Sequence, residues 1–405
     1  MNGARTRGHP AALAAIGAMA RSGPPGAVLL VGPAGVGKTT LATDLAAALL
    51  CTAEDAITRP CGACRACRLV LGGVHPDVHR LGPEGPGRQV VIGGPGSKVR
   101  GIRDLIGELA LLPVEGGARI AIVESAHRMN EDAQAALLKT LEEPPPATTI
   151  VLCADTEEPL LPTIRSRCAR LRLGPVCVRD IEALLDEIGV AEPPVAARAA
   201  RIAGGRPGMA IAWVRTPDAM RERDAIGRAL LDLAEARPAE RMVGVRSLAA
   251  QASAVAAIAA SPNGASATPP AGSAARTGAR RGGKRAATTE TAPEDAGTDD
   301  EGSDDVGQVR TPAIERRRAA EALVAIWTDV ARDVALCQRG LERSVRDPSR
   351  IDETRVLAAR LDQAAIAAFL DRLGEAALLI AGNVSPELVL DDLALAWPGA
   401  ARSAA

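Results

Sequence analysis

The hydrophobic pattern of the N-terminal half alternates between short apolar runs and longer segments with helical spacing. Three runs are short and apolar enough to be buried strands: Ala27–Val31, Arg119–Val123 and Thr148–Leu152. Apolar positions recur at helical spacing over 40–50, 99–112 and 131–141. This order of strands and helices predicts a doubly wound α/β domain with a parallel sheet, over residues 1–175.

The pattern changes after residue 175 and becomes helical. It predicts a small helical domain over 176–215 and an all-α domain formed by 216–260 and 313–405. Residues 261–312 consist mainly of Ala, Gly, Ser, Thr and Pro, with a basic cluster followed by an acidic one. A segment with so few large apolar side chains cannot offset its ordering entropy, so a disordered insert is predicted. Its basic cluster could contact DNA, but we favour loose pairing with the acidic half or with solvent.

The first predicted strand runs into the sequence G-P-A-G-V-G-K-T, which matches the phosphate-binding pattern G-x-x-x-x-G-K-[ST]. In such a loop the backbone amides surround the phosphates, Lys38 reaches the β- and γ-phosphates, and the Thr39 hydroxyl holds Mg²⁺. The sequence therefore predicts a site for ATP or ADP with Mg²⁺. The predicted nucleotide-binding residues are Gly32, Pro33, Ala34, Gly35, Val36, Gly37, Lys38, Thr39, Thr40 and, after the second strand, Glu124.

Four of the eight cysteines follow the first helix, as Cys51, Cys61, Cys64 and Cys67. Two C-x-x-C steps with a fourth thiolate can form a closed tetrahedral site, which is typical of structural zinc. An iron–sulfur cluster and unligated thiols remain alternatives. Disulfides are a poor explanation, because a nucleotide-binding protein is expected in the reducing cytosol. We interpret the nearby His75 and His79 as non-ligands.

Composition and charge narrow the possible partners. The chain has 48 basic and 49 acidic residues, so no overall field attracts it to nucleic acid or to an anionic membrane. It has one Phe, three Trp and no Tyr, which makes base stacking on single-stranded nucleic acid improbable. Without a secretory signal or a run long enough to span a bilayer, it is expected to be cytoplasmic, with no membrane partner.

Three stretches together resemble the clamp-loader branch of the AAA+ ATPases. They are the P-loop with its four-cysteine insert, the sequence A-L-L-K-T-L-E-E-P-P at 136–145, and Ser166-Arg167-Cys168. The resemblance is close over residues 11–173 and looser beyond. It implies a RecA-like domain with a zinc module at 51–67, a helical lid and a C-terminal collar. It also implies other clamp-loader subunits as partners, and through them the sliding clamp, primed DNA and the DNA polymerase III holoenzyme.

The residues after the second strand distinguish subunit types within this branch. Motor subunits (gamma or tau) usually carry Asp-Glu there, whereas this chain has Glu124-Ser125. Together with H-P-D-V at 75–78, this is similar to the delta-prime type, which implies little or no intrinsic ATP hydrolysis. By the same resemblance, Arg167 would act as an arginine finger on a neighbour's ATP. A salt bridge at a domain edge is the simpler alternative for Arg167.

Other assignments stay open at this stage. A gamma/tau-like motor, with Glu124 filling both acidic roles, is the alternative function, whereas the motifs at 139–145 and 166–168 argue against an unrelated P-loop kinase. Asp155 and Thr156 both fit the sensor position after the third strand. Gly208 aligns where other lids have an arginine, with Arg206 two positions earlier. The intact P-loop is itself unusual for the delta-prime type.

Overall fold

A computed structural model describes residues 2–84, 89–115, 117–260, 312–382 and 384–399. The predicted insert at 261–312 lies outside the described residues apart from Pro312. The predicted N-terminal domain contains a five-stranded sheet and six helices, and the described residues after 175 are helical.

The sheet is parallel throughout and has the order β2-β3-β4-β1-β5. Its strands are β1 Ala27–Val31, β2 Val78–Leu81, β3 Arg119–Val123, β4 Thr148–Ala154 and β5 Ala169–Arg172. The predicted α/β fold is therefore confirmed, with two more strands than the pattern indicates. Both additional strands are short edge strands with polar positions, so neither produces a continuous apolar run.

Helices cover both faces of this sheet. They are α1 Pro10–Ser22, α2 Lys38–Leu50, α3 Arg65–Leu71, α4 Ile102–Leu109, α5 Glu131–Glu142 and α6 Pro162–Arg167. Val28 and Leu30 pack in a core with residues of α1 and α2, whereas Leu29 packs with α4 and α5 on the opposite face. Helix α4 is shorter than the predicted 99–112, because the Asp104 carboxylate accepts the Gly101 amide (2.8 Å) and caps its start.

The described residues after 175 form ten α-helices. They are α7 Val178–Glu187, α8 Pro193–Ile202, α9 Pro207–Arg215, α10 Pro217–Asp232, α11 Pro238–Gln251, α12 Ser253–Ala260, α13 Ala313–Gln338, α14 Ile351–Ala358, α15 Gln363–Ala381 and α16 Pro386–Ala396. Apolar positions at helical spacing over 355–374 and again over 375–382 predict a helix boundary at Gly374, which is wrong because Gly374 lies inside α15. The break falls before Gln363, where the Asp362 side chain caps the helix by accepting the Ala365 amide (2.9 Å). None of the described helices is both long and apolar enough to cross a bilayer.

One continuous apolar core joins these helices, from Val176 to Trp397. Trp327, Phe369 and Trp397 meet inside it, with ring centroids 4.8–5.6 Å apart and tilted or edge-on. These contacts join α13, α15 and the end of α16. The predicted lid and collar thus share a core, and the boundary near residue 215 stays a prediction.

A buried ion cluster also links the two predicted helical domains. Asp347 is fully buried and accepts hydrogen bonds from Arg198 of α8 (3.1 Å) and Arg223 of α10 (3.2 Å). Arg350 lies 3.4 Å away. Burial alone would raise the pKa of Asp347, but the hydrogen bond from Arg198 and the charge of Arg350 hold it well below its ordinary value. The carboxylate is therefore charged at neutral pH and ties α8 to α10.

We expect Asp347→Ala to destabilise the helical part by about 3 kcal/mol or more, because it leaves buried guanidinium groups without their counter-ion. Urea unfolding followed by tryptophan fluorescence measures this region selectively, since Trp213, Trp327 and Trp397 all lie in it. The matched control is Asp352→Ala at an 87% exposed side chain, where a change within about 0.5 kcal/mol is expected. Equal losses in the two variants would contradict the importance of the buried cluster.

Candidate functional site

The predicted phosphate-binding loop leaves the carboxyl end of β1 and turns sharply into α2. Gly35 and Gly37 have φ of 78° and 111°, in the left-handed region that favours glycine. A Cβ at Gly32 would lie 2.3 Å from the carbonyl oxygen of Leu173, so glycine is needed there for close packing. The loop therefore has the tight turn and the helix N-terminus that the motif requires for anion binding.

Lys38 is held at the centre of this loop by three oxygen atoms. Its Nζ donates to the carbonyls of Gly32 (2.6 Å) and Pro33 (2.9 Å) and pairs with Asp155 Oδ1 (2.8 Å). Asp155 follows β4, which pairs with β1, so the sheet brings the two side chains together. Thr156 is exposed. Of the two candidates for the sensor position, Asp155 is the one that contacts the P-loop lysine.

Glu124 directly follows β3, where an acid that assists Mg²⁺ binding is expected in a P-loop protein. Burial raises the pKa of Glu124, and the nearby charge of Arg80 opposes that shift. The guanidinium Nη1 of Arg80 lies 3.6 Å from Glu124 Oε1. The neighbouring Cys153 of β4 is fully buried, and its burial raises its pKa to about 12, so it is a neutral thiol. Arg80 was not among the predicted site residues, because it lies on the unpredicted strand β2.

The residue after Glu124 cannot act as a general base. Ser125 has a hydroxyl in place of a carboxylate and adopts a left-handed conformation with φ 53°. Two residues later, His127 Nδ1 accepts the amide of Asp155 (3.1 Å), and its Nε2 lies 3.6 Å from Asp155 Oδ2. Burial lowers the pKa of His127, so a neutral imidazole faces the carboxylate. Nothing in the sequence pattern assigned His127 to this site, because the pairing depends on β4.

Two further segments contact the loop through its backbone. The Gly208 amide, at the start of α9, donates to the carbonyl of Gly35 (2.9 Å). His9 Nε2, before α1, lies 3.0 Å from the carbonyl oxygen of Val36. The Arg206 guanidinium is directed to the carbonyl of Ala203 (3.0 Å). Gly208, which aligns where other lids have an arginine, therefore contacts the P-loop through its backbone amide.

The four predicted metal ligands come together at the far end of α2. Their sulfur atoms all lie within 4.8 Å of one another, and Cys51 Sγ is 4.0 Å from Cys64 Sγ. Zinc–sulfur bonds of about 2.3 Å in a tetrahedron imply sulfur separations of about 3.8 Å. The ligands of an iron–sulfur cluster bind different iron atoms and would lie farther apart, so the spacing is compatible with one structural zinc ion. Because α2 has 13 residues, this site lies about 20 Å from Lys38.

The protonation of these thiols also fits a metal site. Burial opposes ionisation of Cys64, but hydrogen bonds from the Cys67 and Thr52 amides lower its pKa to about 6. Burial and the neighbouring sulfur atoms raise the pKa of Cys67 instead. Four adjacent thiolates repel one another, so full ionisation requires a cation among them. All four cysteines are free of disulfide bonds.

Arg167 ends helix α6 and has contacts within its own chain. Its Nη2 lies 2.5 Å from Glu142 Oε1, and its Nη1 donates to the carbonyl of Thr163 (3.0 Å). About a third of the side chain is exposed, so the pair lies at the surface. The structure thus contains a local salt bridge of Arg167, which is the simpler interpretation of this residue. That Arg167 acts on a neighbour's nucleotide stays a prediction.

Comparison with known proteins gives a family model that matches the N-terminal part and curated relatives that each align with less than half of the chain. The family model for the DNA polymerase III delta subunit matches residues 11–176. The delta-prime subunit of Pseudomonas aeruginosa is 42% identical over 144 residues, which cover 36% of this chain and 42% of that protein. The delta-prime subunit of Escherichia coli K12 is 35% identical over 187 residues, or 46% and 53% of the two chains. The tau subunit of Salmonella typhimurium is 34% identical over 173 residues, or 42% and 25%.

The match to each of these relatives spans between a quarter and about half of its length. A solved gamma subunit-related protein of DNA polymerase III from Thermotoga maritima aligns over 95% of this chain and 98% of its own, at 15% identity and a TM-score of 0.39. The fold assignment rests on the strand order and the P-loop described above, which are features of this chain itself.

The parallel sheet, the P-loop and the acid after β3 define a P-loop protein of the AAA+ class. Residues 11–176 match the family model for the DNA polymerase III delta subunit, and the chain is, more particularly, similar to delta-prime subunits at 35–42% identity. These matches confirm the resemblance to the clamp-loader branch that was predicted from the P-loop, the E-E-P-P stretch and the S-R-C tripeptide.

The metal site gives a direct prediction. Elemental analysis of the purified protein is expected to find one zinc ion per chain, and Cys64→Ala is expected to lose it because a three-sulfur site is open and weaker. The control is Cys177→Ala, since Cys177 is exposed and is not part of the cluster, and it should keep full zinc content. Iron in place of zinc, or no metal in the parent protein, would overturn the assignment.

Proposed function

We propose that this chain is a clamp-loader subunit of DNA polymerase III, of the delta-prime type. In this proposal it binds ATP or ADP with Mg²⁺, hydrolyses little or none of it, and assembles with gamma/tau and delta subunits in the cytoplasm. Through that complex it helps to load the sliding clamp on primed DNA, as a component of the DNA-directed DNA polymerase holoenzyme. Residues 176–215 would form its lid, and 216–260 with 313–405 its collar.

The observation that carries this proposal is the contrast between an intact P-loop and an incomplete acid pair after β3. Lys38 pairs with Asp155 at the P-loop and Glu124 directly follows β3, whereas Ser125 has no carboxylate with which to activate water. A site of this kind can bind a nucleotide and still be a poor catalyst. The similarity to delta-prime subunits supports the same interpretation.

Each group in the site has a definable role in binding. The loop amides and Lys38 would bind the phosphates, and the Thr39 hydroxyl with Glu124 would hold Mg²⁺, which screens the phosphate charge. Asp155 pairs with Lys38 at 2.8 Å and would exchange this partner for a phosphate oxygen when nucleotide binds. The four cysteines would hold a structural zinc ion that fixes the chain after α2. In the assembled complex, Arg167 would leave Glu142 for a neighbour's nucleotide.

The alternative function is a gamma/tau-like motor ATPase. It is favoured by the intact P-loop and by the 34% identity to a tau subunit over 173 residues. In that case Glu124 would fill both acidic roles. Steady-state ATP hydrolysis by the isolated chain separates the two: the delta-prime proposal expects turnover close to background, and turnover abolished by Lys38→Ala would support the motor.

Nucleotide binding has its own test. Lys38→Ala is expected to weaken ADP binding at least about tenfold, because it removes a charged hydrogen bond to the phosphates. Lys98→Ala is the control, since Lys98 is exposed in the loop before α4. Titration calorimetry in Mg²⁺ buffer measures both variants. Equal affinity for the parent and Lys38→Ala proteins would contradict a P-loop nucleotide site.

The predicted role of Arg167 requires the reconstituted complex. Arg167→Ala should leave the native mass of the loader unchanged but slow its ATP hydrolysis, since an arginine finger contributes about a thousandfold at its own site. Arg167→Lys should not restore the rate, because a lysine lacks the planar fork. Arg170→Ala is the matched control at a neighbouring exposed arginine. Unchanged hydrolysis in the Arg167→Ala complex would remove the assigned role.

A further inference from the structure

Arg80 connects the helix of the P-loop to the acid after β3. Its Nη2 donates to the Thr43 hydroxyl (2.7 Å), and its Nη1 lies 3.6 Å from Glu124 Oε1. The Thr43 hydroxyl donates in turn to the carbonyl of Thr39 (2.7 Å), one helical turn away. The guanidinium therefore lies 3.6 Å from Glu124, one of the two residues that would hold Mg²⁺ in the proposed function, and it is linked through Thr43 to the backbone of Thr39, the other one.

The position of this guanidinium is fixed by its surroundings. The Arg80 side chain starts from β2, whose backbone at this residue pairs with β3 and whose carbonyl accepts a hydrogen bond from Arg100. Only about a third of the side chain is exposed. Among the described residues, its Nε is buried without a hydrogen-bond partner, which leaves one donor free at the edge of the site. The charge is thus held in place before any ligand binds.

A fixed positive charge here changes how strongly the site attracts a divalent cation. Mg²⁺ in a P-loop site is bound by phosphate oxygens, a hydroxyl and, usually through water, by a carboxylate. An arginine is charged at any accessible pH and neutralises the carboxylate with which it pairs. A neutralised carboxylate attracts Mg²⁺ more weakly, which reduces what Mg²⁺ adds to nucleotide affinity.

We propose that Arg80 is a positioning residue which neutralises Glu124 and makes nucleotide binding by this chain only weakly dependent on Mg²⁺. The inference rests on the proposed nucleotide site and adds to it a substrate preference: the chain binds nucleoside diphosphate or triphosphate with or without its metal ion. Such a site would suit a nucleotide that is held and not hydrolysed, because hydrolysis needs the metal and binding does not.

The test compares the affinity of a fluorescent ADP analogue in millimolar Mg²⁺ and in EDTA. For the parent protein the two dissociation constants should differ by less than about threefold. Arg80→Gln should raise this ratio about fivefold, the size expected for loss of a partly exposed ion pair. Arg80→Lys, which keeps the charge, should keep the ratio low. Arg221→Gln, at a 75% exposed arginine of α10, is the control and should match the parent.

The same Arg80 substitution, made in a protein that already carries Glu124→Gln, shows whether Arg80 acts through Glu124. In Glu124→Gln protein there is no carboxylate charge to neutralise, so adding Arg80→Gln should change the Mg²⁺ ratio by less than about twofold. Electron paramagnetic resonance of Mn²⁺ in the ADP complex gives an independent measurement. Arg80→Gln should bind Mn²⁺ more tightly than the parent does, and this effect too should disappear in the Glu124→Gln background.

Each of the following outcomes would overturn the inference. A strong Mg²⁺ requirement in the parent protein, or an unchanged ratio of dissociation constants in Arg80→Gln, would show that Arg80 does not weaken the Mg²⁺ dependence of nucleotide binding. An equal loss of affinity in both buffers would make Arg80 a direct phosphate ligand and not a positioning residue. Absence of ADP binding in either buffer would overturn the proposed nucleotide site, and this inference with it.

Discussion

The parallel pairing of β1, β3 and β4 is the constraint on which the candidate site depends. Parallel strands end at the same edge of a sheet, and each of these three strands is followed at once by a site residue or loop. Lys38, Glu124 and Asp155 therefore lie at the same edge of the sheet although they are far apart in the chain, and Lys38 and Asp155 are in contact. The 2.8 Å contact between Lys38 and Asp155 exists only because β4 lies directly beside β1.

The sequence was most informative where a pattern is local. The P-loop and the four cysteines are compact motifs whose chemistry depends on spacing. The loop has the left-handed glycines that such a turn needs, and the four sulfur atoms lie within 4.8 Å of one another. The central strands were predicted from continuous apolar runs. Edge strands β2 and β5 were not, because a strand exposed on one side keeps polar residues and loses that run.

The contacts between elements could not be obtained from the sequence in this way. Arg80, His127 and His9 reach the site from three different segments, and no periodicity links them to the P-loop. The choice between Asp155 and Thr156 likewise depends on which side chain points to Lys38. The helix break near residue 362 depends on one capping carboxylate, which competes with an apolar pattern that continues across it.

The charged groups of the site are already paired within the chain. Lys38 has Asp155, Arg80 has Glu124, and Arg167 has Glu142. Under the proposed function, a nucleotide would have to displace acids that are already paired with these cations. This exchange of partners would keep the electrostatic cost of an empty site low and would limit how tightly a nucleotide can bind.

The hydrogen bond between Gly208 and Gly35 has a different consequence. Both its donor and its acceptor are main-chain atoms, so the hydrogen bond does not depend on a particular side chain. It therefore requires no matched pair of side chains in the sequence. Evolution can replace the surrounding side chains freely while the contact persists, provided that the loop keeps its left-handed turn at Gly35. This contact between the P-loop and the helical part thus tolerates more side-chain substitutions than a salt bridge in the same place would.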